Sequence, residues 1–162
     1  VDWIDHEAVA PGAIGLTILP GRKDYSRSID DDLKQLKLAG VDIIIPLITD
    51  DEFHNFGVDE LLQEYYDNGF QVRRLPIMDQ LVCSEQEMRD LAEYMDKHIN
   101  AGKKIMVHCV GGLGRSGMVA AAYLKYKGVE AGKAIETIRA CRGPRAIESK
   151  PQEVFVRNII FG

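Results

Sequence analysis

Hydrophobic positions along the chain repeat with two different periods, and the points where the period changes mark the elements. Ala13 to Leu19 (AIGLTIL) alternates well enough for a strand. Val41 to Ile48 (VDIIIPLI) is the most strand-like run and predicts a central strand, with Pro46 near its end where a ladder tolerates a missing N–H. Phe70 to Leu75 and Lys104 to Val107 predict two further strands. Helical spacing fills the intervals. Ser28 or Asp30 caps a helix carrying Leu33, Leu36 and Leu38 and ending at Gly40. Val58 to Asn68 forms another, closed by Gly69, and Ser84-Glu85-Gln86-Glu87 is a capping box opening a helix to about Asn100. Met118 to Lys127, Ala131 to Arg142, and a last helix after Pro151 complete the set, the last with Val154, Phe155, Ile159 and Ile160 on its apolar side. Val1 to Pro11 is expected as an edge strand or extended arm, with Trp3 as a packing anchor.

Strands and helices alternate through the first two-thirds, and the final third is helical. That order predicts an α/β fold with a central, mostly parallel sheet and helices on both faces. No repeat, linker or low-complexity stretch interrupts residues 1–162, so one domain is expected.

Composition narrows the function classes. Hydrophobic residues at 46% and charged residues at 28% suit a globular protein with a full core. A net charge of −5 argues against nucleic acid as a partner. No run approaches membrane-spanning length and no signal-peptide pattern is seen, so membrane association is not expected and cytoplasm is the expected location. The odd, sparse cysteines, Cys83, Cys109 and Cys141, suggest a reducing compartment. With His108 they show no metal-ligand spacing, so neither a metal nor another cofactor is expected.

The chemistry concentrates in His108-Cys109-Val110-Gly111-Gly112-Leu113-Gly114-Arg115-Ser116-Gly117, between a predicted strand and a predicted helix. A strand-to-helix turn rich in glycine points backbone N–H groups and a helix N-terminus into one concavity suited to a phosphate. There Cys109 is expected as a thiolate, favoured by the amides, the helix end and Arg115. The planar fork of Arg115 can grip two phosphoryl oxygens. Gly111, Gly112 and Gly114 let the backbone approach the ligand, and Ser116 can hydrogen-bond the sulfur. His108 either fixes the loop through its ring or raises the thiolate fraction. The same letters also fit G-x-G-x-x-G, but no strand with an acidic end follows the helix, so the dinucleotide reading fails.

Two acidic or basic clusters remain open to two readings. Thr49-Asp50-Asp51-Glu52 lies at a strand's C-terminal end, where sites gather, yet its pattern favours a helix cap. Arg22 and Lys23 form either a solvated loop or a cationic rim for an anionic substrate.

His-Cys-x5-Arg-Ser resembles the signature loop of the cysteine-dependent protein tyrosine phosphatases, in their dual-specificity subclass. The wording Cys-Val-Gly-Gly-Leu-Gly-Arg-Ser, the opening LPGRKD and the closing Pro144-Arg145-Ala146-Ile147-Glu148 are similar to the kinase-associated phosphatase branch and its prokaryotic relatives. The resemblance implies a phosphotyrosine-phosphatase-like fold and an enzyme that hydrolyses phosphomonoesters through a cysteinyl-phosphate, with a phosphorylated protein or peptide, a kinase among them, as substrate; a monomer is the expected state. It casts Asp79, in Leu75-Pro76-Ile77-Met78-Asp79, as general acid and then general base. It casts Gln152 as a residue that orients water, against an exposed helix-start glutamine, and Arg145 as a contact to substrate or loop, against a surface ion pair. Val110, Gly111, Gly112, Leu113, Gly114 and Arg115 would bind the phosphate. No lysine lies in this loop, which tilts the reading toward phosphoprotein. Arg22, Lys23, Arg73, Arg74 and Arg145 keep a small phosphorylated metabolite as the alternative, and a weakly catalytic phosphate-binding module is a third. Cys83 and Cys141 are candidates to trap an oxidised Cys109.

Overall fold

A computed structural model describes residues 1–162. Five strands, β1 (Asp2–Trp3), β2 (Ala13–Thr17), β3 (Ile43–Pro46), β4 (Gln71–Val72) and β5 (Lys104–His108), form one sheet in the order β1-β2-β5-β3-β4. All pairings are parallel except that of β1 with β2. The strands next to β5 are both parallel to it, so β5 is buried from Ile105 to His108, as a central parallel strand requires. The predicted edge arm is therefore a two-residue antiparallel strand. The run predicted as a strand over Phe70 to Leu75 pairs formally at two residues, yet the Arg73 and Leu75 amides still donate to β3 carbonyls.

Seven helices flank the sheet: α1 (Ile29–Leu38), α2 (Asp50–Asn55), α3 (Leu61–Asp67), α4 (Glu85–Asn100), α5 (Gly114–Tyr126), α6 (Ala131–Arg142) and α7 (Lys150–Asn158). Ser28 caps α1 by accepting from the Asp31 N–H, and the Ser84–Glu87 capping box opens α4. α5 is the hub. Its residues Gly114 to Leu124 are all buried, and it packs against β2, β5, α4, α6 and α7. A helix covered on every side needs no polar face, and the small Ala120, Ala121 and Ala122 allow close approach of neighbours.

Three expectations change. α5 starts at Gly114 rather than Met118, so Arg115 and Ser116 belong to its first turn. α7 buries Gln152, Val156 and the following Ile159, whereas Val154 and Ile160 are exposed and Phe155 is half-buried. Counting apolar letters misplaces that face because one of its members is a glutamine. Leu38, expected among the apolar positions of α1, is also exposed, while Ile29, Leu33 and Leu36 make its buried stripe.

Candidate active site

β5 and its two neighbours stop at one level: His108 is in register with Thr17 on one side and Pro46 on the other. Beyond that edge the chain turns through residues 109–113 and enters α5. The turn sits at the carboxyl end of a central parallel strand, where ligand sites of open α/β sheets form. A cleft of about 260 Å³ opens there, bringing together Cys109, Arg115, Asp79 and Arg145 with Arg22 and Tyr25. Val110, Gly111, Leu113 and Gly114 also line it, whereas Gly112, His108, Ser116 and Gln152 lie behind the wall. A larger depression, of about 470 Å³, lies beside Arg27 and Glu64 but holds no cysteine. Chemistry, not size, marks the site.

Two of the loop glycines are required by space or conformation. Gly112 has φ +69°, and a Cβ there would collide with the Thr17 carbonyl. A Cβ on Gly114 would come within 2.9 Å of Gln152 Oε1. Gly111 has neither constraint.

Arg115 is a buried cation with a buried support. Its Nη1 and Nη2 donate to Glu52 Oε1 and Oε2 at 2.7 and 2.9 Å, a fork-to-fork pair. Nη1 also donates to the Ile77 carbonyl at 2.8 Å, and Asp79 Oδ1 lies 3.5 Å from Nη2. Burial is the largest single influence and disfavours the arginine's charge, but the hydrogen bonds to Glu52 together with the charges of Cys109, Glu52 and Asp79 outweigh it and raise the pKa. Burial likewise pushes Glu52 up, and the bonds from Arg115 and from the Thr49 N–H hold it below the usual carboxylate range. Arg115 Nε and Ser116 Oγ are buried without a hydrogen-bond partner. The expected bond from Ser116 to the Cys109 sulfur is thus not made in this structure.

His108 is fully buried, with Nδ1 3.0 Å from the Cys109 carbonyl and Nε2 2.8 Å from Tyr65 Oη. The carbonyl can only accept, so Nδ1 carries the proton and Nε2 accepts from the tyrosine. Burial pushes the imidazole pKa down to about 4. The two ring contacts tie the start of the loop to α3 and to the Cys109 carbonyl.

Asp79 hangs over the cleft with its side chain 68% exposed. Its loop is tied to the segment before α7: Ser149 Oγ donates to the Gln80 carbonyl at 2.8 Å, Gln80 Nε2 donates to Glu148, and Gln152 Nε2 donates to the Leu81 carbonyl at 3.2 Å. Gln152 is fully buried, so the exposed reading is overturned. Its Oε1 accepts from the Ser149 N–H in a capping box, and burial follows from this double attachment. Arg145 reaches the cleft rim, exposed, and pairs with Glu148 at 3.2 Å. Cys83 and Cys141 are free thiols and neither lines the cleft. No cluster of three or more His, Cys, Asp or Glu is arranged to hold a metal ion.

Two residues at the site, Tyr65 and Arg142, escaped sequence reasoning, and two more, Glu52 and Arg22, were left open between a site and a bland role. Glu52 is a cap residue, as its pattern indicated, and is also the partner of Arg115; nothing local announces the second role. Arg22 is buried rather than solvated, bonded to Asp24, stacked on Tyr25 at 3.8 Å and donating to the Val110 carbonyl at 3.3 Å. Lys23 beside it is exposed. Tyr65 and Arg142 approach the loop from behind. Arg73 and Arg74 turn away from the cleft, toward Tyr94 and Asp50 respectively.

A thiol and a buried guanidinium share one cleft at a glycine-rich strand-to-helix turn. The family model described as "Polymorphic toxin system, DSP-PTPase phosphatase" matches residues 20–129. Cyclin-dependent kinase inhibitor 3 from Homo sapiens is 32% identical over 157 residues, covering 94% of this chain and 74% of that protein. The Sus scrofa protein of that name is 33% identical over 86% of this chain and 68% of its own length. Among solved structures, kinase associated phosphatase with its catalytic-site cysteine replaced by serine superposes with a TM-score of 0.90 at 29% identity, covering 96% of this chain and 90% of that one. Tk-PTP in its active form gives 0.77 at 26% identity, with 98% and 94% covered. The chain belongs to the dual-specificity branch of the protein tyrosine phosphatases, and it is a protein phosphatase.

Proposed function

We propose that Cys109 is the nucleophile of this phosphatase and that Arg115, Asp79 and the loop amides complete its chemistry. The observation that carries the reading is a single cleft holding Cys109, Asp79 and an Arg115 whose fork is preset by Glu52. The Cys109 thiolate attacks phosphorus in line, forming the S–P bond as the P–O bond to the substrate breaks. Arg115 and the backbone N–H groups of Gly111 to Gly114 stabilise the equatorial oxygens. Protonated Asp79 gives its proton to the departing oxygen. In the second step water attacks phosphorus, Asp79 takes up its proton, the S–P bond breaks, and thiolate and inorganic phosphate are released. Gln152, buried against Gly114, holds the acid loop through the Leu81 carbonyl and is the candidate to orient that water.

The substrates are phosphoproteins carrying phosphotyrosine and phosphoserine or phosphothreonine. The loop has no lysine, and of the five arginines and lysines that would favour a small polyanion only Arg22 and Arg145 reach the cleft. Similar proteins named for a cyclin-dependent kinase and for kinase association make a phosphorylated kinase the first substrate to try. No helix is long and apolar enough to cross a membrane, and three free cysteines favour a reducing compartment, the cytoplasm. The cleft is complete within one chain, consistent with action as a monomer. The test is hydrolysis of p-nitrophenyl phosphate and of phosphotyrosyl and phosphothreonyl peptides by wild type and Cys109→Ser, with and without chelator. Chelator-resistant turnover, absent from Cys109→Ser, is expected; turnover by Cys109→Ser overturns the reading.

A further inference from the structure

The N–H groups of Gly111, Gly112, Leu113 and Gly114 donate to no protein acceptor, although Gly112 and Gly114 are buried and the other two half-buried. A trans peptide places its C=O and N–H on opposite sides, so whatever holds a carbonyl outward aims the next amide inward. The carbonyls preceding these four amides are all held. The Val110 carbonyl accepts from the Leu19 N–H at 2.9 Å and from Arg22 Nη1 at 3.3 Å. That of Leu113 accepts from the Gly117 and Ile147 amides, both at 3.0 Å. The two in the middle, Gly111 and Gly112, have one side chain between them: Arg142 Nη2 donates to the Gly111 carbonyl and Arg142 Nε to the Gly112 carbonyl, each at 2.9 Å.

We propose that Arg142, at the end of α6, is a positioning residue for the phosphate loop: it fixes two successive peptide planes so that the Gly112 and Leu113 amides face the phosphate. The inference rests on the phosphatase reading above and adds a residue outside the signature loop. The two planes it holds flank Gly112, at φ +69°, where the chain has the most conformational freedom and the greatest need of an external hold. Arginine suits this task because two N–H groups leave one rigid plane in parallel, which a lysine ammonium cannot reproduce. The third nitrogen, Nη1, pairs with Asp2 Oδ2 of β1 at 3.2 Å, setting the plane of the fork from the opposite side. The short N-terminal strand thereby reaches the active-site loop through one intermediary.

The experiment measures inorganic phosphate binding by titration calorimetry in Cys109→Ser, with and without Arg142→Lys, Arg142→Ala or Asp2→Asn. In parallel, kcat and KM for p-nitrophenyl phosphate are measured with Cys109 intact. Arg142→Lys is expected to weaken phosphate about tenfold or more and to raise KM, with little change in melting temperature, because two amides lose their aim while the cation stays. Arg142→Ala should do no worse on phosphate than a few-fold beyond Lys, and Asp2→Asn should cost less than either. Phosphate affinity in Arg142→Lys within twofold of its parent overturns the proposal, as does unfolding of both Arg142 variants, which would make the arginine a general structural residue. Phosphate binding needs no turnover. A wild type inactive on every phosphomonoester would therefore strike the phosphatase reading, and the Arg142 effect would still be read separately.

Discussion

The two loops that face each other across the cleft are built by opposite means. The phosphate loop is locked from behind: its carbonyls are held by Arg22, Arg142 and backbone amides, its histidine is buried between Tyr65 and the Cys109 carbonyl, and its arginine is forked onto Glu52. The acid loop is open. Asp79 and Met78 are 68% and 66% exposed, and the loop hangs from the Glu148–Gln152 segment by the three hydrogen bonds described above. The difference matches the tasks proposed for the two loops. Charge stabilisation requires dipoles that need no reorganisation at the moment of reaction. A proton donor must meet leaving groups of different reach and then turn to water, so a softer mounting serves it.

The comparison is broken most severely at the support of Arg115. Glu52→Gln keeps the cap geometry and removes the charge, and kcat/KM for an aryl phosphate should fall about 100-fold, the scale for losing one preset oxyanion donor. Because the change also leaves a buried cation without its counter-charge, the urea midpoint should drop as well. The open loop breaks differently. Asp79→Ala should cost tens-fold in kcat/KM on alkyl phosphates and much less in kcat/KM on p-nitrophenyl phosphate, whose leaving group needs little proton assistance, while the missing base of the second step lowers kcat on both. The Asp79→Ala melting temperature should stay near wild type, since the side chain is exposed.

Smaller effects sharpen the contrast. For His108 the folded pKa of about 4 lies below the unfolded value near 6.5. Between these values the unfolded chain takes up a proton that the folded ring refuses, so stability is full above pH 6.5 and falls as the pH drops toward 4. The loss attributable to this ring is on the order of 3 kcal/mol at the bottom of that window. Urea unfolding of wild type and His108→Asn from pH 7 to 4.5 checks it: the wild-type slope should be steeper. The mildest change is Ser149→Ala, which removes both the α7 cap and the bond to the Gln80 carbonyl. It should cost about 1 kcal/mol of stability. On activity it should lower kcat a few-fold and leave phosphate affinity untouched, on the scale of one lost neutral hydrogen bond. An equal loss of phosphate affinity would show that the two loops are not independent.

What could be read from the sequence follows the same division. Cys109, Arg115 and the glycines announce a phosphate cradle because the whole motif is local, one strand end and one helix start. The alternation of periods likewise carries the parallel sheet and most helices. The supporting roles were illegible: Arg22, Glu52, Tyr65 and Arg142 lie between 88 and 30 residues from the loop or α5 residues they hold, and each has an adequate local explanation as loop, cap, core or helix-end residue. Gln152 failed as an exposed residue for a related reason. A polar side chain at a capping position looks solvated until the loop it bonds, around Leu81, is brought to it from 71 residues away. Long-range hydrogen bonds leave no period in the chain.

The most direct test of the central claim is to trap the intermediate. Asp79→Asn should still transfer phosphate from p-nitrophenyl phosphate, because that leaving group departs without a proton, but should lack the base for the second step. Acid quenching and peptide mass spectrometry should then find phosphate on Cys109, with a burst of nitrophenolate matching the enzyme concentration. A burst-free time course with phosphate on no residue, or phosphate on a residue other than Cys109, would contradict the account.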